Sequence, residues 1–182
     1  MRLNWQMWSG GIDQAQIDMI SLAAKNLQLN DATTWLSESA NTQIRSSRVG
    51  WLSSNNAIRN ILWGFVSRAN NDAFKFDVQN IGDIQFTEYH ASEQGHYDWH
   101  IDVNWDGNEP LDRKISVTVQ LSDPKDYEGG DFQFQECETP DASAKVKGTV
   151  LVFPSYLKHR VLPVTSGVRQ SLVAWFEGPR WR

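Results

Sequence analysis

Residues 89–102 read YHASEQGHYDWHID and hold three of the chain's four histidines. Within them His96 and Asp98, and again His100 and Asp102, stand two positions apart. On a strand, residues i and i+2 project to the same side, so either pair presents an imidazole and a carboxylate to one point. Spacing alone does not choose between them. Asp102 is followed by the loop-like stretch VNWDGNEPLD, which places His100 and Asp102 at a strand end facing the mouth of a barrel. That favours the later pair and leaves His90 and His96 to bond to neighbours.

Outward from this stretch the pattern keeps a period of two. From residue 83 onward it predicts strands over 83–91, 96–102, 114–122, 131–135, 148–153, 158–164 and 169–177, each ended by Gly, Pro, Asp or Asn. In the third, Ile115, Val117, Val119 and Leu121 alternate with Ser116, Thr118 and Gln120, which gives one packed and one polar face. Toward the N-terminus the period becomes helical. Ile17, Ile20, Ala24 and Leu27 predict a helix over 12–29 capped within Ser9–Asp13. Ile58, Ile61, Leu62, Phe65, Val66 and Ala69 predict a second behind Ser53–Asn55, and Arg48–Leu52 looks like a short strand between the two. Helices followed by a succession of short strands predict a mainly β (α+β) fold: a double-stranded β-helix, or jelly-roll barrel, with N-terminal helices packed on one sheet. We expect one domain over 1–182, with 1–80 as helical support and 81–182 as the jelly-roll core.

Composition narrows the function. The 182 residues, 40% apolar with nine tryptophans, suffice for one packed core. A formal charge of −5 provides no basic face for a phosphate backbone, so no nucleic-acid partner is expected. Cys137 is the only cysteine, which excludes an internal disulfide framework and a multi-cysteine zinc site and fits a reducing compartment. No long apolar run marks a membrane span or a signal peptide, so a cytoplasmic protein is expected.

The fourth histidine, His159, lies alone in FPSYLKHRV. Two imidazoles and one carboxylate on one face of a metal leave positions open for co-substrate and O2, which is the ligand set of an oxygen-activating ferrous centre. His100, Asp102 and His159 provide it. Ten residues after His159 comes Arg169, whose guanidinium fork matches a carboxylate bidentately, here the distal carboxylate of 2-oxoglutarate. Ser171 shares the same strand face. Thr118 and Gln120 also lie on a polar face, and Gly129 and Gly130 turn the chain.

Tyr89, Gly95, Tyr97, His100 and Asp102, the segment SVTVQLSDPKDYEGGDFQF and the closing segment KGTVLVFPSYLKHRVLPVTSGVRQSLVAWFEGP resemble the prolyl 4-hydroxylase-like, PKHD-type oxygenases over roughly 80–178. The resemblance implies an Fe(II)- and 2-oxoglutarate-dependent dioxygenase with iron held by His100, Asp102 and His159. Arg169 would bind the 2-oxoglutarate carboxylate, with a supporting hydroxyl from Tyr89. No catalytic side chain beyond the metal centre is implied. It further implies hydroxylation of a prolyl residue in a peptide or protein with release of succinate and CO2, and ascorbate as reductant. Lysyl residues, a free amino acid or another small molecule remain alternative substrates, and a non-catalytic jelly-roll binding protein is the remaining class. Repair of alkylated bases is disfavoured, because those oxygenases carry a second arginine where this chain has Trp175. Arg45, in IRSSRVGWL, sits where related enzymes carry an arginine and serine segment near substrate; a surface ion pair is the other reading. Tyr97, Trp99, Trp105 and Tyr127 are candidates for a substrate groove or for plain core and rim.

Overall fold

The computed structural model describes residues 3–33 and 41–182. Two helices come early. α1 (Gln14–Lys25) begins at a reciprocal capping box, in which the Gln16 N–H donates to the Asp13 carboxylate and the Asp13 N–H donates to the Gln16 side chain. α2 (Asn56–Ala69) begins under Asn55, whose side-chain oxygen accepts from the Ile58 N–H. α1 is shorter than the predicted 12–29, because the box fixes its start after Asp13 and Asn26 closes it. Leu27 lies beyond the helix yet still packs on the core.

Four short strands precede α2: β1 (Gln6–Trp8), β2 (Asn30–Asp31), β3 (Arg45–Ser46) and β4 (Arg48–Trp51). After it come β5 (Gly82–His90), β6 (His96–His100), β7 (Leu111–Gln120), β8 (Tyr127–Gly129), β9 (Phe132–Phe134), β10 (Val150–Pro154), β11 (His159–Val161) and β12 (Val164–Pro179). All pair antiparallel. The larger sheet runs β1-β10-β7-β12-β5-β4-β2, with β8 attached to β12, and the smaller runs β3-β6-β11-β9. Together they make the predicted jelly roll, with both helices on the outer face of the larger sheet.

Residue parity explains why the helices sit there. Ile115, Val117 and Val119 of β7, Leu172, Ala174 and Phe176 of β12, Ile84 and Phe86 of β5, and Val150 and Val152 of β10 face outward. They join Ile17, Ile20, Ile58, Leu62 and Val66 in one core cluster. The alternate residues point between the sheets, and many are polar: Gln85, Ser116, Thr118, Arg169 and Ser171. Because the side-chain period of a strand is two, burying the apolar set against the helices forces the polar set inward. None of the described helices is long and apolar enough to cross a membrane.

Among the differences from the sequence reading, two concern strand ends. β6 stops at His100, so Asp102 stands two residues past the strand end; its partner β11 is only three residues long and no ladder extends further. There the backbone is held instead by the Asp102 N–H donating to the Ser155 carbonyl at 2.9 Å. β12 also begins earlier than the predicted 169, since Val164, Ser166 and Gly167 pair with β8.

Leu62 is fully buried between α2 and the larger sheet. Leu62→Ala is expected to cost ~2–5 kcal/mol of stability by urea unfolding. A change within experimental error would show that the helix layer is not packed as described.

Candidate metal centre and co-substrate pocket

β6 and β11 lie side by side in register His159↔His100, so the ladder brings the two histidines together from distant parts of the chain. Asp102 closes the group. Its carboxylate oxygens lie 3.7 Å from His100 Nε2 and 3.6 Å from His159 Nε2, and the three donor atoms all fall within 4.8 Å of one another. Asp102 and His159 are each 5% exposed.

Each of the three is oriented by a second contact. His100 Nδ1 lies 2.8 Å from the Asp98 carbonyl and His159 Nδ1 lies 2.8 Å from the Leu157 carbonyl. A carbonyl only accepts, so both Nδ1 atoms donate to backbone and both Nε2 atoms face Asp102. Ser116 Oγ donates to Asp102 at 2.7 Å and meets Ser155 Oγ at 2.9 Å. The rings are wedged by aromatics. Tyr97 stacks on His100 with centroids 3.4 Å apart, and Phe153 and Phe132 flank His159 at 4.8 and 5.3 Å.

The electrostatics suit a cation. Burial first, and the neighbouring His159 second, lower the His100 pKa to about 3, so its ring is neutral near pH 7. Burial works against the Asp102 charge, but His159, His100 and the Ser116 hydroxyl outweigh it and hold the carboxyl below its ordinary range. The result is a buried carboxylate facing a neutral His100 ring on one side and the His159 ring on the other. Buried charges are normally paired or bound to metal, and two neutral imidazole nitrogens with one carboxylate form the ferrous ligand set. The residues present therefore fit the metal that the resemblance implies.

A second group faces the same cavity. Arg169 is 5% exposed, and no hydrogen bond or ion pair of its guanidinium is found among the described residues; its contact is the Tyr89 ring, whose centroid lies 5.5 Å away. Tyr89 is the cross-strand partner of Arg169, and Ser171 and Thr118 line the cavity beside it. Gly130 matters here, because a Cβ at its position would come within 2.8 Å of Arg169 Cδ. A buried guanidinium with no carboxylate partner among the described residues is a suitable receptor for one supplied by a ligand. The pocket thus fits 2-oxoglutarate as the triad fits iron.

The other candidates sort by location. His96 bonds the Gln94 and Gln43 carbonyls, His90 bonds Glu88, and Asp98 is exposed, caps the Trp99 N–H and orients His100 through its backbone. The rival pair His96 and Asp98 is therefore not gathered with His159. Gln120 bonds the Tyr127 hydroxyl and the Ser122 carbonyl, and Tyr127 is buried in a small core cluster. Trp99 lies under Arg160, and Trp105 is 53% exposed. Arg45 is buried, bonds Ser47 and Gln85 and lies over the Tyr97 ring, which removes the surface ion-pair reading.

Arg45 also lines a cavity of about 170 Å³ with Trp51, Gln85, Tyr97, Asp102, Arg113 and Trp175. A neighbouring cavity of about 330 Å³ shares Asp102 and Arg113 and continues past Asn104, Glu109 and Asp112. The two meet at Asp102 and Arg113 and together form a groove beside the candidate metal position. Ser116, Trp51 and Arg113 were not singled out as site residues by sequence. Ser116 had a signal in the alternation of β7, whereas Trp51 and Arg113 had none.

Residues 84–177 match the 2OG-Fe(II) oxygenase superfamily. A PKHD-type hydroxylase of Gloeothece citriformis is 34% identical over 99 residues, 54% of this chain and 44% of that protein. The chain thus matches less than half the length of this curated relative. Among solved structures, a Pseudomonas putida prolyl-4-hydroxylase superposes with a TM-score of 0.70 at 19% identity, covering 97% of this chain and 93% of that one. A prolyl hydroxylase from Trichoplax adhaerens, in complex with a hypoxia inducible factor peptide fragment, gives 0.72 at 17%, covering 95% and 83%. At such identities these structures bear on the fold.

Two outcomes follow from the geometry. The folded His100 pKa of about 3 lies below its ordinary 6.5, so between these values the unfolded chain binds more protons and metal-free stability falls as pH is lowered. The depressed Asp102 carboxyl adds loss in the same direction at the acid end. His100→Gln is expected to flatten the dependence of the urea midpoint on pH from 7 to 4.5; parallel curves would contradict the assignment. Ser116→Ala should weaken Fe(II) binding ~10-fold in an anaerobic titration, in line with the loss of a contact that orients a ligand.

Proposed function

Because the chain belongs to the 2OG-Fe(II) oxygenase superfamily, we propose that it is an Fe(II)- and 2-oxoglutarate-dependent dioxygenase that hydroxylates a prolyl residue in a peptide or protein. One observation carries the reading: three metal-donor side chains converge within 4.8 Å, and a buried arginine with no carboxylate partner among the described residues lines the same cavity.

The chain's own residues would divide the work. His100 and His159 offer Nε2 because their Nδ1 protons are committed to backbone carbonyls, and Asp102 supplies the anionic ligand steadied by Ser116. Arg169, with Ser171 and Tyr89 beside it, would bind the distal carboxylate of 2-oxoglutarate and so set the direction in which its 2-oxo acid end reaches the metal. Bound ferrous iron would supply the activation of O2, coupling conversion of 2-oxoglutarate to succinate and CO2 to insertion of one oxygen atom into a substrate C–H bond. The packed aromatics Phe132, Phe153 and Tyr97 keep bulk water from the imidazoles.

The prolyl assignment draws on the prolyl hydroxylase neighbours, one of them in complex with a peptide fragment. The groove adds support, since two cavities of about 330 and 170 Å³ meet at Asp102, more room than a free amino acid needs. Lysyl residues, free amino acids and other small molecules are the competing substrates in the test.

Protein supplied with Fe(II), 2-oxoglutarate and ascorbate is expected to form succinate, and a proline-containing peptide from a screened set should gain the mass of one oxygen. No succinate above background under any of these conditions would defeat the proposal. His159→Ala should lower turnover by at least ~100-fold, as expected when an essential ligand is lost. Arg169→Ala should raise the KM for 2-oxoglutarate ~10- to 100-fold through loss of a charge-assisted pair, and an unchanged KM would remove Arg169 from its role.

A further inference from the structure

We infer that Arg180 and Trp181 are positioning residues for the substrate: they latch the 103–110 loop in place as a wall of the groove beside Asp102. The inference rests on the oxygenase reading above and concerns residues outside the stretch that matches the superfamily. After His100 the chain leaves the sheet and returns to it at Leu111. On the way, Asn104, Gly107, Glu109 and Pro110 line the cavity of about 330 Å³ that opens on Asp102. Within the loop a single turn bond is found, from the Gly107 N–H to the Asn104 carbonyl at 3.2 Å. Such a segment, poor in backbone pairing, sits at the low-stability end of a fold unless something outside holds it.

Arg180 and Trp181 provide that hold. Arg180 Nη2 donates to the Gly107 carbonyl at 3.0 Å, and the backbone N–H of Trp181 donates to the carboxylate of Asp112, the second residue of β7 just past the loop, at 2.7 Å. The latch is itself anchored, because the Trp181 indole packs edge-on against Phe76 and Tyr156, with centroids 4.9 and 5.6 Å away, and Lys114 Nζ lies 3.7 Å from its ring. Asp102 does not depend on this contact; its backbone is held by Ser155 and its carboxylate by Ser116. Residues 180–181 therefore set the shape of the groove wall while the pocket around Arg169, Ser171 and Tyr89 is held by β5, β7 and β12. Their loss should be felt by the substrate and not by the co-substrate.

Arg180 is exposed, so Arg180→Ala leaves the core intact. With a peptide that the wild-type protein oxidises, Arg180→Ala is expected to raise the peptide KM ~3- to 10-fold, the range of one net hydrogen bond. The KM for 2-oxoglutarate should stay put, and Arg180→Lys, which retains one donor, should recover most of the loss. Hydrogen exchange provides a readout besides activity: amides of 103–110 should exchange faster in Arg180→Ala and in Trp181→Ala, while those of β7 and β12 do not. An unchanged peptide KM, an equal rise in the KM for 2-oxoglutarate, or unchanged exchange in the loop would each overturn the latch. Wild-type protein that makes no succinate would instead bring down the oxygenase reading, and the latch with it.

Discussion

The constraint on which the rest of this structure depends is a carboxylate sealed between two β-sheets. Asp102 is 5% exposed and looks onto two imidazoles whose outer nitrogens are already committed to backbone carbonyls. Isolated buried charges are expensive, and a fold carries one only where a partner repays the cost. Here the surroundings keep the carboxyl ionised and the His100 ring neutral, which is the protonation pattern that a divalent cation requires. Arg169 poses the complementary problem across the cavity: a buried cation that awaits an anion.

Both buried charges can exist because the larger sheet separates its duties by parity. Its outward residues, Val117, Leu172, Phe176 and their neighbours, are spent against α1 and α2 and supply the apolar burial. Its inward residues are then free to be Ser116, Thr118, Arg169 and Ser171. The helices thus stabilise the face opposite the site and let the site itself be polar. The first 80 residues do more than brace that face, since β3 pairs with the strand that carries His100 and β4 pairs with β5. Through Arg45 and Trp51 they also build one end of the groove.

Much of this was legible in the sequence where a pattern runs long enough to repeat. The alternation of β7 and the stripe of α2 located both elements, and the capping residues Asp13 and Asn55 marked true helix starts. Several short strands were not legible: β1, β2, β3 and β8 span two or three residues, too few to display a period, whereas the equally short β9 and β11 fall within the predicted 131–135 and 158–164. For the site, residue type carried the information. His100, Asp102 and His159 are brought together as their chemistry suggested, and Arg169 shares their cavity. The sequence did not reveal that β6 ends before Asp102, that Arg45 is buried, or that backbone carbonyls fix both imidazoles, because each depends on contacts with distant backbone that side-chain spacing does not encode.

The central claim is that one ferrous ion is held by His100, Asp102 and His159. Anaerobic titration of the metal-free protein with Fe(II), with and without 2-oxoglutarate, tests it most directly. One equivalent should bind, 2-oxoglutarate should tighten that binding, and Asp102→Ala should abolish it with the fold retained. Wild-type protein that takes up no iron, or an Asp102→Ala variant that binds it as tightly as wild type, would contradict the claim.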